Sequence, residues 1–117
     1  RVKSRAETMR RAGLALDRGS SLVLFPEGGI YTQNPPHLIP FKNGAFRLAM
    51  EKQISIIPVT LSYNHVILAD QKDLILKRMP AKMVLHQALN PADFESDEAL
   101  KHCCFEVIQE QLLTDNP

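Results

Sequence analysis

A short apolar segment that ends in a proline and two glycines restricts the fold of this chain more than any other feature. Residues 20–25 are Ser-Ser-Leu-Val-Leu-Phe, and Pro26-Glu27-Gly28-Gly29 follows directly. A continuous apolar run of this length, with turn residues after it, is typical of a β-strand covered on both faces. Because such a strand needs neighbouring strands and packed layers, the segment predicts a sheet within an α/β structure.

Helical and strand-like patterns alternate along the rest of the chain. In residues 4–18 the apolar positions recur at spacings of three and four, which predicts a first helix that stops at Gly19. Asn43 is placed to cap a second helix, and Ser96 is placed to cap a third. The other predicted elements are a loop over 30–42, helix residues 44–53, strands over 54–62 and 83–86, and an edge or bulge at Pro58.

The predicted fold class is α/β, with a partial mixed sheet and flanking helices. A chain of 117 residues with 44% hydrophobic residues has the size and composition of one soluble domain. Three strands, however, are fewer than in an average sheet, and a strand covered on both faces needs more neighbours. The pattern therefore predicts part of a larger sheet. No apolar stretch approaches the roughly 20 residues that a membrane span requires.

Charge is unevenly distributed along the chain. The formal net charge is +1, but residues 1–90 carry a net +7 and residues 91–117 a net −6. The small overall charge excludes a strongly basic nucleic-acid-binding protein. The basic part suits an anionic partner such as a phosphate, an acidic carrier protein or an anionic membrane surface, and an ordinary solvated face is the alternative.

The two cysteines, Cys103 and Cys104, are adjacent within the third predicted helix. Their spacing matches neither a disulfide framework nor a metal site, so we expect small helix residues in a reducing compartment. A vicinal redox pair is the alternative, and no metal site is predicted.

The turn after the first predicted strand is a candidate anion site. Ligands of open α/β sheets bind beyond the carboxyl ends of the strands, where consecutive glycines let backbone amides approach a phosphate. Glu27 would act there as a hydrogen-bond acceptor, beside Gly28 and Gly29. Lys42 stands at the start of the second helix, where the helix dipole also favours an anion. A plain structural turn is the alternative for this segment.

Three segments of the chain resemble blocks of the glycerolipid acyltransferases, the superfamily of the lysophosphatidic acid and glycerol-3-phosphate acyltransferases. Residues 25–28, Phe-Pro-Glu-Gly, resemble the start of that family's Phe-Pro-Glu-Gly-Thr-Arg-Ser block. Residues 40–46, Pro-Phe-Lys-Asn-Gly-Ala-Phe, resemble its Pro-Phe-Lys-x-Gly-Ala-Phe stretch, and residues 56–59, Ile-Ile-Pro-Val, resemble its Ile-Val-Pro-Val block. The order and separations of the three segments also match.

The resemblance implies transfer of a fatty acyl group to a hydroxyl of a phosphorylated glycerol such as lysophosphatidic acid, in phospholipid biosynthesis. The donor would be a thioester of coenzyme A or acyl carrier protein, without another cofactor. The implied substrate-binding residues are Glu27, Gly28, Gly29, Lys42 and Arg1, the last as the end of the family's second block, with Arg5 or a plain surface arginine as alternatives. Many relatives have Thr-Arg-Ser where Gly29, Ile30 and Tyr31 stand, so Lys42, Arg47 or Arg1 would supply the phosphate-binding charge.

The catalytic base of the family is the histidine of an Asn-His-x4-Asp block, which in relatives lies upstream of the Phe-Pro-Glu-Gly block. No histidine precedes Phe25 here. We therefore expect residues 1–117 to be the C-terminal portion of a single acyltransferase domain, inactive alone. Residues 64–70 match the Asn-His-x4-Asp pattern at the wrong place in the order, so His65 and Asp70 are interpreted as a chance match, with a rearranged catalytic pair as the alternative. The other histidines, His37, His86 and His102, are expected to be structural.

The resemblance also implies a lipid substrate, and with it a location. We expect the parent enzyme at the cytoplasmic face of a membrane, peripheral or anchored by segments outside this chain, with the basic residues of 1–90 facing anionic headgroups. A non-catalytic lipid- or phosphate-binding module on the same scaffold is the alternative function.

Overall fold

A computed structural model of the chain describes residues 2–29, 34–69 and 72–117. Its elements are α1 (Val2–Asp17), α2 (Gly44–Lys52), β1 (Val59–Leu61), α3 (Asn64–Ile67), β2 (Met83–Leu85) and α4 (Asp97–Asp115), with a 3-10 turn over Pro91–Asp93. Helices flank a small antiparallel sheet, which confirms the predicted combination of helix and sheet. None of the helices in the described ranges has the length and apolar character to cross a bilayer.

Helices α1 and α2 lie side by side and run in the same direction. Near their starts, a Cβ atom at Gly44 would lie 3.2 Å from the Met9 sulfur, and further along, one at Gly13 would lie 3.5 Å from Leu48 Cδ1. The distance at Gly13 is an ordinary van der Waals contact, whereas the shorter one at Gly44 would require Met9 to shift. The glycines thus permit close packing of α1 on α2, and both helices are confirmed to within two residues.

The sheet of the described residues pairs β1 with β2. Val59 lies opposite Leu85 and Leu61 opposite Met83, while Thr60 lies opposite Val84. Alternate residues point to opposite faces of a strand. Thr60 is fully buried on the face toward α4, whereas the residues of the other face are exposed. That outer sheet face consists of Ile57, Val59, Leu61, Met83 and Leu85.

The predicted strand over residues 20–25 is wrong for this chain. The segment has no regular secondary structure, and the exposed fractions of Val23 and Phe25 are 85% and 74%. A strand forms only where a neighbouring strand accepts and donates its backbone hydrogen bonds. No such neighbour is present within residues 2–29, 34–69 and 72–117. Residues 20–25 therefore have the apolar pattern of a strand but do not form one here.

The core lies where α4 packs on α2 and the loop before it. It contains Phe41, Phe46, Ala49, Leu100 and Cys104. The Phe41 ring stacks on Phe46 at a centroid distance of 6.1 Å and meets the edge of Phe105 at 5.1 Å. These aromatic contacts fix the end of the loop against two helices, and the loop in turn carries Lys42.

The two predicted helix caps have different outcomes. Ser96 caps α4 as expected, because its hydroxyl accepts a hydrogen bond from the Ala99 amide at 3.1 Å. Asn43 does not cap α2: its side-chain oxygen instead accepts a 2.6 Å hydrogen bond from the Lys101 ammonium on α4. A charged donor makes a stronger hydrogen bond than a backbone amide does, so tertiary contact overrides the local cap.

Candidate functional site

The Phe-Pro-Glu-Gly segment forms a tight turn. The Gly28 amide donates to the Phe25 carbonyl at 3.0 Å, with Pro26 at the second position, where its restricted φ angle favours the turn. Gly28 has a φ of +76°, a conformation that residues with a side chain rarely adopt. The Glu27 carboxylate accepts a 3.1 Å hydrogen bond from the Ile39 amide. The turn is therefore held in one shape and tied to the loop that follows it.

Lys42 lies directly against this turn. Its amide donates a 2.7 Å hydrogen bond to the Pro26 carbonyl. A Cβ atom at Gly28 would fall on the Lys42 side chain, 2.9 Å from Cδ and still closer to Cε. The sequence-predicted residues Glu27, Gly28 and Lys42 are thus brought together, although 14 positions separate Gly28 from Lys42. A cation next to exposed backbone and before a helix N-terminus is an arrangement that favours a phosphate.

The loop between the turn and Lys42 is anchored from α4 by Gln109. The side-chain oxygen of Gln109 accepts from the Leu38 amide at 2.8 Å, and its nitrogen donates to the Pro36 carbonyl at 3.2 Å. One amide side chain therefore satisfies two backbone groups of the loop. Sequence reasoning missed Gln109, because nothing in its local pattern distinguishes it and its partners lie 71 and 73 positions away.

A second concave surface lies between α1 and α2. This groove has a volume of about 290 Å³, and it is crossed by a 2.9 Å ion pair between Lys52 and Asp17. Arg47 lines the groove, whereas Glu27, Gly28 and Lys42 do not. Of the basic residues considered for the phosphate, Lys42 and Arg47 lie within the described ranges, and it is Lys42 that lies against Gly28.

Comparison with known proteins identifies the family to which the fold and the three sequence segments belong. The family model described as Acyltransferase matches residues 1–62, which contain the turn, Lys42 and residues 56–59. The chain belongs to the acyltransferase family. Over 99 residues, 83% of the chain, it is 28% identical to the chloroplastic 1-acyl-sn-glycerol-3-phosphate acyltransferase BAT2 of Brassica napus and 27% identical to LPAT1 of Arabidopsis thaliana. It spans 28% and 27% of the length of these relatives.

The acyltransferase fold is also seen in a solved structure. The chain superposes on the crystal structure of the 1-acyl-sn-glycerophosphate (LPA) acyltransferase PlsC from Thermotoga maritima with a TM-score of 0.76. The match covers 91% of this chain and 43% of that one, at 22% sequence identity. This likeness confirms the predicted acyltransferase-like fold class.

Of the other residues predicted from the acyltransferase resemblance, Gly29 adjoins the turn of residues 25–28, whereas Arg5 lies on another element. Gly29 is exposed beside Gly28, and Arg5 is exposed on α1. Arg1, Ile30 and Tyr31 lie outside the described residues, and so does Asp70. His65 is half-buried on the short helix α3. That it is not the catalytic base stays a prediction.

A polar cluster that the sequence did not indicate joins α4 to the sheet. The hydroxyl of the fully buried Ser62 donates to Asp115 at 2.6 Å, and Asp115 also accepts from Lys82 at 2.8 Å and Gln111 at 2.9 Å. The Lys82 hydrogen bond, followed by those from Ser62 and Gln111, lowers the pKa of Asp115 to about 2. The cluster fixes the end of α4 beside β1, on the side of the sheet opposite the outer sheet face.

Two further predictions concern histidine and cysteine. His86 has a structural contact, since its Nε2 lies 2.7 Å from the hydroxyl of the buried Thr60. Cys104 is buried in the core and Cys103 is half-buried, and both are free thiols. Burial raises the pKa of Cys104 to about 11. A thiol with so high a pKa is a poor nucleophile, which favours the structural interpretation of Cys104.

Proposed function

We propose that this chain supplies the acceptor-binding part of an enzyme that transfers a fatty acyl group to a hydroxyl of a phosphorylated glycerol such as lysophosphatidic acid, in phospholipid biosynthesis. Membership of the acyltransferase family supports the reaction, and the names of the two plant relatives support the acceptor. The observation that carries the proposal is the contact of Lys42 with the Gly28 turn.

The acceptor phosphate would bind between the Lys42 ammonium and the backbone at Gly28 and Gly29. The ammonium supplies a positive charge, while the glycines leave the backbone accessible. Glu27 keeps the loop in place through the Ile39 amide. Arg1 is the further cation in this proposal. Binding the phosphate at one end of the acceptor orients its hydroxyl toward the acyl donor, which lowers the entropic cost of the reaction.

In the chemical step the acceptor hydroxyl oxygen attacks the carbonyl carbon of the acyl thioester. A new C–O bond forms, the C–S bond breaks, and a general base moves the hydroxyl proton toward the leaving thiol. The donor is a thioester of coenzyme A or acyl carrier protein and serves as a co-substrate, with no other cofactor. In this proposal the base is a histidine of the parent protein outside these residues, and His65 is not the base.

Residues 1–117 form the C-terminal portion of a single acyltransferase domain in this proposal. The outer sheet face is apolar and exposed, and so are residues 22–25. Apolar side chains grouped in this way normally lie against another part of a protein. The enzyme acts at the cytoplasmic face of a membrane, as a peripheral protein or anchored by segments outside this chain, because its substrate is a lipid.

Titration of the chain with glycerol 3-phosphate, followed by the NMR amide signals of Gly28 and Gly29, tests the acceptor site. We expect these signals to shift, and we expect Lys42→Gln to abolish the shift. The matched control is Arg18→Gln, which removes an exposed cation at the end of α1. Shifts that survive Lys42→Gln, or that disappear equally with Arg18→Gln, would contradict the proposed site.

Activity separates the enzyme from a non-catalytic binding module. We expect no acyl transfer from the 117-residue chain and measurable transfer to lysophosphatidic acid from the full-length protein. Transfer by the chain alone would contradict a base outside these residues. Phosphate binding without turnover by the full-length protein would favour the binding module.

A further inference from the structure

Residues 68–69 and 72–78 carry exposed apolar side chains, with basic residues next to them in the sequence. Leu68 and Leu76 face each other in an antiparallel bridge, and the Lys77 amide donates to the Ile67 carbonyl at 2.8 Å. These contacts hold the two ends of this segment together. We call the following residues the 68–78 tip: Leu68, Lys72, Leu74, Ile75, Leu76, Lys77 and Arg78.

The apolar part of the 68–78 tip has no protein cover in the structure. The exposed fractions are 85% for Leu74 and 72% for Leu76, and Ile75 and Leu68 are also exposed. Opposed residues of an antiparallel bridge project to the same side, so Leu68 and Leu76 form one surface. Exposed leucines that are adjacent in sequence and in space indicate a contact surface.

The charges of the 68–78 tip indicate what kind of surface it contacts. Lys72 precedes the apolar triplet and Lys77 and Arg78 follow it, all three exposed. These three cations outnumber the two acidic residues of the span, Asp73 and Asp70, and Asp70 lies outside the described residues. Lys82 lies nearby, but it pairs with Asp115 and does not belong to the tip. The cores of protein interfaces are depleted in lysine, whereas membrane-surface segments combine apolar side chains with lysine and arginine.

We infer that the 68–78 tip docks on the surface of an anionic lipid bilayer. The leucines and Ile75 enter the boundary between headgroups and acyl chains, while Lys72, Lys77 and Arg78 lie at the lipid phosphates. The inference deepens the proposed function, on which it rests for its biological role, by naming the surface that holds the domain at its lipid substrate.

The absence of tryptophan from the sequence permits a site-specific test. Leu74→Trp places a single indole in the tip at an exposed position, where it should not disturb folding. We expect its fluorescence to shift to shorter wavelength with vesicles of equal parts phosphatidylcholine and phosphatidylglycerol, and to be quenched by brominated acyl chains. The matched control is Val23→Trp, equally exposed on a different apolar segment. The absence of a shift at Leu74→Trp, or an equal shift in the control, would overturn the inference.

Charge reversal tests the cations. Lys77→Glu/Arg78→Glu should weaken vesicle sedimentation about tenfold or more. The control Arg11→Glu/Arg18→Glu makes the same change in net charge, at one position on α1 and one directly after it, and should have a smaller effect. Equal effects of the two variants would show that bulk charge drives binding and would overturn the inference. Amide NMR spectra of each variant establish that it is folded.

The vesicle assay contains neither acyl donor nor acceptor. Failure of the 68–78 tip to bind would therefore leave the glycerol 3-phosphate titration unaffected, and failure of that titration would leave the vesicle result unaffected. Sedimentation with phosphatidylcholine alone that equals sedimentation with the anionic mixture would also overturn the inference, because the cations would then contribute nothing.

Discussion

The Lys42 side chain occupies the space that a side chain at Gly28 would need. This contact links a turn and a helix start that sequence reasoning could only propose as neighbours. It makes glycine necessary at position 28 for two reasons: a positive φ and the proximity of the Lys42 Cδ and Cε atoms. The two reasons can be separated by mutation.

We expect Gly28→Ala to displace Lys42 and to abolish the glycerol 3-phosphate shift. Gly19→Ala is the matched control, because Gly19 also has a positive φ, +86°, but nothing lies within 4 Å of a Cβ there. Both variants should lose roughly 1–2 kcal/mol of stability from backbone strain, measured by urea unfolding. The control should retain the shift. Equal loss of binding in both variants would attribute the effect to strain alone.

Gln109 is expected to act as a positioning residue for the loop that carries Lys42. Gln109→Leu removes the hydrogen bonds to Leu38 and Pro36 without changing any charge, so we expect at least severalfold weaker glycerol 3-phosphate binding. Gln109→Glu retains the acceptor for the Leu38 amide and should restore part of the affinity. Isothermal titration calorimetry measures both. Unchanged affinity in Gln109→Leu would show that the loop is held by its other contacts.

Asp115 should make stability depend on acidic pH. Its pKa in the folded chain is lowered from the usual 3.8 to about 2, so its stabilising effect is complete above the higher value and is lost as the pH falls toward the lower one. The unfolding midpoint of the native chain should therefore decrease in that window. Asp115→Asn should be less stable at neutral pH, and the difference between the two proteins should shrink on acidification. A constant difference would contradict the lowered pKa.

The two cysteines should react differently with thiol reagents. Cys104 is buried and its pKa is raised to about 11, whereas Cys103 is half-buried. At mildly alkaline pH we expect iodoacetamide to label Cys104→Ser, which retains Cys103, at least tenfold faster than Cys103→Ser. In urea the two rates should become similar. Fast native labelling of Cys104 would contradict its burial in the core.

The outer sheet face should behave differently in the chain and in the full-length protein. Val59→Thr/Leu85→Thr places polar hydroxyls on this face, and β-branched threonine suits a strand. In the 117-residue chain we expect severalfold less binding of the dye ANS and little change in stability. In the full-length protein the same pair should be destabilising, by roughly 1–3 kcal/mol for each buried position. Equal tolerance in both would contradict the proposal that another part of the domain covers this face.

Local sequence patterns were sufficient for the three long helices and for part of the candidate site, whereas the short helix α3 was not predicted. The spacing of apolar residues predicted α1 and α2, and Ser96 predicted the start of α4. The residues of the Glu27–Gly28 turn and Lys42 were also predicted, because glycine and proline restrict the backbone within a few positions. The predicted capping of α2 by Asn43 was wrong, because the Asn43 side chain bonds to Lys101 on another helix.

Sequence by itself determined the three long helices, the turn and the resemblance to an acyltransferase, because these depend on residues within a few positions of one another. Tertiary structure decided that Lys42 lies on Gly28, that Gln109 anchors the loop, and that Ser62 and Asp115 join the sheet to α4. Tertiary structure also decided that residues 20–25 remain outside a sheet. Hydrogen bonding between strands and between distant side chains requires a partner in space, which no local pattern specifies.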